Sequence, residues 1–176
     1  MQNKIYETER LYTRCMTEAD LPALSAVLQD AETMHAYEHA FSDAEVRDWL
    51  RRNEMRYEKD GFGLWAVIRK DTGEMIGDCG IIMQEMDGKP VAEVSYHLNR
   101  RFWHNGYAIE AAYAAKNYAF DVLGYEEVFC MVRDTNIASL NVAIRSGMTI
   151  RERIVKHYYG MDMPHYVFVQ KKCART

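Results

Sequence analysis

The stretch from Leu64 to Leu98 leaves this chain the least freedom. It reads "LWAVIRK" (64–70), Asp-Thr-Gly, "MIGDCGIIMQ" (75–84), Asp-Gly-Lys-Pro and "VAEVSYHL" (91–98). Apolar residues dominate the runs, and turn formers fill the gaps. Gaps this short join antiparallel neighbours, because a parallel return needs a dozen or more residues. The middle of the chain is therefore expected to be a three-stranded antiparallel meander.

The flanks supply the other elements. "TERLYTRC" (8–15) alternates polar with apolar and predicts a strand. Thr17 and Asp20 predict a helix start, with the helix running to about Asp30. Ser42 and Glu45 repeat the capping pattern ahead of "DAEVRDWLRRNEMRYEKD", Phe41 is placed to staple the turn, and the helix stops at the glycine of "DGFG". After the meander a helix is expected from about Tyr107, then a strand over 127–132. A short amphipathic helix follows in "NIASLNVAIRSG" (136–147), closed by its glycine. "TIRERIVKHYY" (149–159) and "HYVFVQKK" (165–172) predict two last strands around "GMDMP". The order β-αα-βββ-α-β-α-ββ describes one α+β domain over residues 1–176, a mixed, mostly antiparallel sheet flanked by helices.

Bulk numbers remove some functions. The chain has 176 residues, enough for one sizeable core. A net charge of -4 argues against non-specific nucleic-acid binding, which needs a basic face. No apolar run reaches the roughly 18 residues of a membrane span, and "MQNKIYETERLYTR" lacks an apolar signal core. Cys15, Cys79, Cys130 and Cys173 show no CxxC spacing, so reduced thiols, no metal site and a cytoplasmic location are expected. A monomer or a homodimer fits this composition.

One segment carries a chemical suggestion. In "LNRRFWHNGYAIEAA" a strand ends near Leu98, a loop follows, and a helix opens at Tyr107. The first amides of a helix have no partner within it and sit at the positive end of its dipole. Amides from His104, Asn105, Gly106, Tyr107 and Ala108 are therefore placed to hold a phosphate or pyrophosphate, with Arg100 and Arg101 at the rim. The same residues also fit a plain strand-to-helix turn with solubilising arginines.

Several motifs together resemble the GNAT superfamily of acetyl-CoA-dependent N-acetyltransferases, in the branch that includes the Rim-type acetyltransferases of ribosomal-protein N-termini. They are "ETERLYTRCMTEAD", "GEMIGDCGI", "AEVSYHLNRRFWHNGYAIEAAYAAKNYAF" and "VRDTNIASLNVAIRSGM". The family's pyrophosphate motif, Q/R-x-x-G-x-G/A, falls on residues 103–108. Gly106, Tyr107 and Ala108 fit it, whereas Trp103 replaces the leading Gln/Arg and His104 stands where the branch usually has Gly. The resemblance implies acetyl-CoA as cosubstrate, a gap between strands 91–98 and 127–132 for the pantetheine arm, and an oxyanion-binding amide near Leu98 or Tyr96.

The resemblance also implies Asn136 on the pantetheine arm and Ser139 near the sulfur, although both equally fit helix capping. The tyrosine that many members place seven residues after that Asn is absent, because position 143 is Ala. Glu93 is the first candidate base, and alternation puts it on one face with Ser95 and His97. The residues alone equally fit a solvent-facing glutamate. His157 is the second candidate and His165 a weaker one. Segments 34–41 and 157–165 are expected around the acceptor, where the rings, histidines and Glu38 of "MHAYEHAF" would seat a cationic amine. The implied activity is acetyl transfer to a primary amine, either a protein N-terminus or a small molecule. A non-catalytic acyl-CoA-binding module is the alternative.

Overall fold

A computed structural model describes residues 3–37, 39–158 and 160–172. The meander is present as β3 (Leu64–Arg69), β4 (Met75–Met86) and β5 (Lys89–Leu98). Before it come β1 (Lys4–Glu7), β2 (Leu11–Arg14), α1 (Leu21–Leu28) and α2 (Asp43–Asp60). After it come α3 (Tyr107–Asp121), β6 (Glu127–Arg133), α4 (Ile137–Arg145), β7 (Thr149–Tyr158) and β8 (Met161–Lys171). Short 3-10 turns cover Glu18–Asp20 and Arg100–Phe102.

Two boundaries differ from the sequence expectation. The chain opens with two strands, because Lys4–Glu7 folds back on Leu11–Arg14 at the sheet edge. Four partly exposed residues carry no pattern of their own, so only the pairing defines β1. β8 begins at Met161, ahead of Pro164, whereas the sequence placed its start at His165, after the proline that removes a ladder donor. β6 ends opposite His165, so Pro164 needs no donor on that side, and its carbonyl accepts from Asp134 N.

The helix starts follow the capping chemistry. Ser42 N donates to Glu45 Oε2 and Glu45 N to Ser42 Oγ, which opens α2; the helix closes on Gly61 in the left-handed region. Asp20 accepts from Thr17 N and takes a two-pronged ion pair from Arg14, tying β2 to α1.

The eight strands form one sheet in the order β1-β2-β3-β4-β5-β6-β8-β7. Alternation splits its side chains between two cores. Trp65, Val67, Val94, Leu98 and Phe168 join α3, while Leu64, Ala66 and Ile68 join Leu24, Leu28 and Leu50 from α1 and α2. Full burial of such side chains stabilises by roughly 1.5–3 kcal/mol each. α3 meets the sheet through Ala111, Ala112, Ala115 and Ala119, all 2% exposed or less, so its axis lies close to β4 and β5. Gly80 has no room for a side chain: a Cβ there would lie 2.0 Å from Gly63 O.

All neighbours pair antiparallel except β5 and β6, which are parallel and share one registered pair, Glu93 with Phe129. Past that point β5 stays on β4 as far as Leu98, and β6 stays on β8 as far as Arg133. The sheet therefore opens as a fork between residues 94–98 and 130–133.

Candidate active site

A cleft of about 1000 Å³ runs through the fork. Its two sides are built differently. On the α3 side it is lined by Leu98, His104, Gly106, Tyr107, Asn136 and Ser139, and on the α2 side by Tyr37, Trp49, Arg56, Glu93, His97 and Met131, among others.

The α3 side is shaped by backbone. Gly106 has φ +79° and is the N-cap of α3. The first helical bond comes from Glu110 N to Gly106 O, which leaves the amides of Tyr107, Ala108 and Ile109 ahead of it without helical partners. His104 is also left-handed, with φ +62°, where a side chain costs about 1–2 kcal/mol. That is the position at which the related motif usually has glycine, so the departure is one of backbone geometry. A Cβ on Gly106 would meet only Arg10 Nη2, at 3.5 Å, so its φ, not crowding within the protein, requires glycine there.

The β1–β2 turn clamps this loop. Arg10 donates through Nη1 to Asn105 O and through Nε to Glu110 Oε2, lies 4.5 Å from the Tyr107 ring, and Thr8 Oγ1 donates to Glu110 as well. Thr8 and Arg10 belong to the "ETERL" opening, and the structure gives that motif this physical task. Asn105 supports the loop from within, donating to the carbonyls of Phe102 and Trp103.

The ladder fixes which β5 amides face the fork. Asn99 N donates to Ile76 O of the β4 side, and the β4–β5 register is unbroken. Alternation then turns the amides of Val94, Tyr96 and Leu98 away from β4 and toward β6. Trp103 Nε1 donates to Leu98 O from that side, as the alternation requires.

On the α2 side Glu93 sits at the crotch of the fork. It is 6% exposed, and its Oε1 accepts from Met131 N, two residues past the registered Phe129, at 3.0 Å. Burial raises its carboxyl above the ordinary carboxylate range, opposed by Lys156, the Met131 amide, Gln84 and His97. The alternative of a solvent-facing glutamate is overturned.

His97, four residues on, heads a chain that sequence patterning missed. Its Nδ1 is 2.7 Å from Asp78 Oδ1, and its Nε2 is 2.7 Å from the Tyr37 hydroxyl. Trp49 Nε1 holds the other Asp78 oxygen, and Asp78 is 1% exposed. The only signal in the sequence was the shared face of Glu93, Ser95 and His97, because Asp78 and Tyr37 come from distant elements.

The remaining expected residues divide. Asn136 Oδ1 accepts from Ser139 N, so the helix cap is present, and both residues line the cleft. Tyr96 reaches the same corner and donates its hydroxyl to Ser139 O at 2.9 Å; burial raises its phenol well above the ordinary value. Ala143 is 1% exposed and packs in the core, so the count of seven from Asn136 ends on the wrong face of α4 for the cleft. Arg100 pairs with Asp30 and Glu32, and Arg101 faces Glu74 at 4.0 Å with 77% of its side chain exposed; neither lines the cleft.

His157 lies outside the cleft as well. Its side chain is 74% exposed and pairs with Asp162 across the β7–β8 hairpin, so a role as proton acceptor at the fork does not fit its place. His165 does line the cleft, bound to Met163 O, and burial lowers its pKa. Glu38, Tyr159 and Cys173 lie outside the described residues. Cys15, Cys79 and Cys130 are free thiols, and burial pushes Cys130 up to about 12. No helix among the described residues is long and apolar enough to cross a membrane.

The profile of the acetyltransferase (GNAT) domain matches residues 10–149. An uncharacterized Bacillus subtilis (strain 168) protein, YkkB, is 34% identical over 150 residues, covering 85% of this chain and 87% of its own. The uncharacterized N-acetyltransferase p20 of Bacillus licheniformis is 30% identical over 154 residues, covering 86% and 85%. In fold, the chain is similar to the ribosomal L7/L12 alpha-N-protein acetyltransferase RimL solved with coenzyme A, with a TM-score of 0.79, 19% identity and coverage of 96% and 98%. With the forked sheet and the left-handed loop before α3, these matches identify the chain as a member of the GNAT acetyltransferase family, an N-acetyltransferase.

Proposed function

We propose that this chain transfers the acetyl group of acetyl-CoA to a primary amine by direct attack in a ternary complex. The carrying observation is the fork: one open seam in an otherwise paired sheet, ending on unpaired helix amides. The residues fit the coenzyme. The pyrophosphate would take the amides of 104–108, and Leu98, Asn136 and Ser139 would border the pantetheine arm. Arg100 and Arg101, committed to neighbouring carboxylates, would add only long-range charge.

The amine nitrogen bonds to the acetyl carbon, and the carbon–sulfur bond breaks. Fork-facing amides of β5 receive the developing oxyanion. Glu93 takes the amine proton, directly or through one water, and burial raises its carboxyl, which makes the carboxylate a stronger base. Tyr96, kept protonated by burial, and Ser139 are the hydroxyls nearest the expected thiolate.

A second assignment has its own support. Asp78 fixes the tautomer and orientation of His97, which gives an imidazole on the same face as Glu93. Activity against pH for wild type, Glu93→Gln and His97→Gln separates the two, because only the true base carries the acidic limb away when it is replaced. The transfer itself is tested by thiol release from acetyl-CoA across a panel of amines and peptides. Coenzyme binding with no acetylated product from any amine would overturn the reading.

A further inference from the structure

The cleft gathers several basic side chains. Arg52, Arg56, Arg133 and Lys156 all line its α2 side. Among the described residues none of them has a carboxylate oxygen within the 4.0 Å of an ion pair. Elsewhere Arg10, Arg14, Arg51, Arg69, Arg100 and Arg153 each hold a carboxylate. The contrast stands out in a chain whose net charge is -4.

The carboxylates near them are engaged. Glu45 is taken by Ser42 and His39, and Asp48 by Arg51. Glu93 accepts from Met131 N. Arg56 feels Asp60, Asp78 and Glu93 through space but bonds only to the Asn53 amide oxygen. Arg133 donates to Ala36 O, and its Nε is buried with no partner. A half-buried guanidinium with an idle donor and no counter-charge is costly unless something anionic completes it.

We propose that the acceptor amine carries its own anionic group, a carboxylate or a phosphate, seated against Arg56 and Arg133 with Lys156 and Arg52 beside them. The inference rests on the acetyl-transfer reading above and narrows its substrate class. It runs opposite to the cationic acceptor expected from "MHAYEHAF". The guanidinium forks match the paired oxygens of either anion, and the charge beside the fork also lowers the pKa of an incoming ammonium, so more of the amine arrives neutral.

Calorimetry on the CoA-loaded full chain reads this without turnover, using alanine against its carboxamide and ethanolamine phosphate against ethanolamine. At least one member bearing the anionic group is expected to bind about tenfold or more tighter than its partner without it, and which one does so separates carboxylate from phosphate. In Arg56→Gln and Arg133→Gln that preference should fall several-fold while the Kd for CoA stays unchanged, which also reports that each variant is folded. Members without the anionic group binding as tightly as those with it in wild type, or no binding by either member that carries it, overturns the proposal. Product formation on the same four amines keeps the two readings apart. Anion-selective binding without acetylation would sink the transfer and leave the anion site standing. Ethanolamine and the carboxamide acetylated as fast as their anionic partners would sink the anion site and leave the transfer.

Discussion

The two sides of the cleft are made from different material. The α3 side is largely one continuous stretch, residues 98–109, whose backbone turns left-handed twice and then opens a helix. The α2 side is made of side chains from a loop, a helix and several strands, drawn from residues as far apart as Tyr37 and His165. A backbone site depends on φ/ψ and survives most side-chain changes, provided glycine stays where φ is positive. A side-chain site depends on burial and pairing, so single substitutions should act there through charge and leave the coenzyme alone.

The strongest way to break this contrast is Glu93→Gln. It should lower kcat/KM by roughly 10²–10⁴-fold while the Kd for CoA holds. Stability should move the other way. Burial raises the Glu93 carboxyl, so the folded chain binds that proton more tightly than the unfolded chain. The stabilisation from holding it is complete below the unfolded value of about 4.3, and it is lost as pH rises through the folded value. Above its folded value the wild-type carboxyl carries a buried charge that glutamine lacks. The variant should therefore melt at or above wild type there, and the gap should shrink toward pH 4. A variant that melts well below wild type at pH 8 would show that Glu93 is needed as a structural anion.

Gly106→Val tests the other side. Valine at φ +79° costs about 1–2 kcal/mol, which the loop can recover by moving its amides. The Kd for CoA should rise about tenfold, with little change in kcat at saturating coenzyme. An unchanged Kd in calorimetry would remove the pyrophosphate from this loop.

A smaller effect is expected from Arg10→Ala, which frees Asn105 O and Glu110 from one neighbour. Arg10 is 43% exposed, so solvent screens much of the pair, and a two- to fivefold or so rise in KM for acetyl-CoA is the expected scale. The KM for the amine should not move; equal rises in both would mean that the two sides are mechanically coupled. The smallest change is His104→Gly. Relieving a left-handed side chain should stabilise by roughly 1 kcal/mol, or about 2–4 °C in Tm, without loss of coenzyme affinity. A drop in affinity would assign the imidazole itself to the coenzyme.

The legible parts of the molecule were those written in local pattern. Ser42 and Glu45 announced α2 because both halves of the capping box lie three residues apart. The meander was readable because its turns are short, and the loop before α3 because a glycine ahead of a helix leaves amides unpaired wherever it occurs. Ala143 shows the limit of counting along a motif: the count was right, and the face was not. His157 shows the same limit on a strand, since "KHYY" says nothing about which side of an edge hairpin meets solvent. Asp78, His97, Trp49 and Tyr37 lay in plain view but came from four separate elements.

By itself, then, the sequence determined the antiparallel meander, the helix boundaries with chemical caps, the alternation that set Glu93, Ser95 and His97 on one face, and the glycine loop whose amides open α3. All of these follow from interactions between residues a few positions apart. Tertiary structure alone decided that β5 and β6 part after a single registered pair, that Glu93 is buried at that parting, and that four basic side chains line the cleft there with no carboxylate partner among the described residues. Strand pairing over long separations and the dielectric around a carboxylate are properties of the packed whole, and no local window of residues carries them.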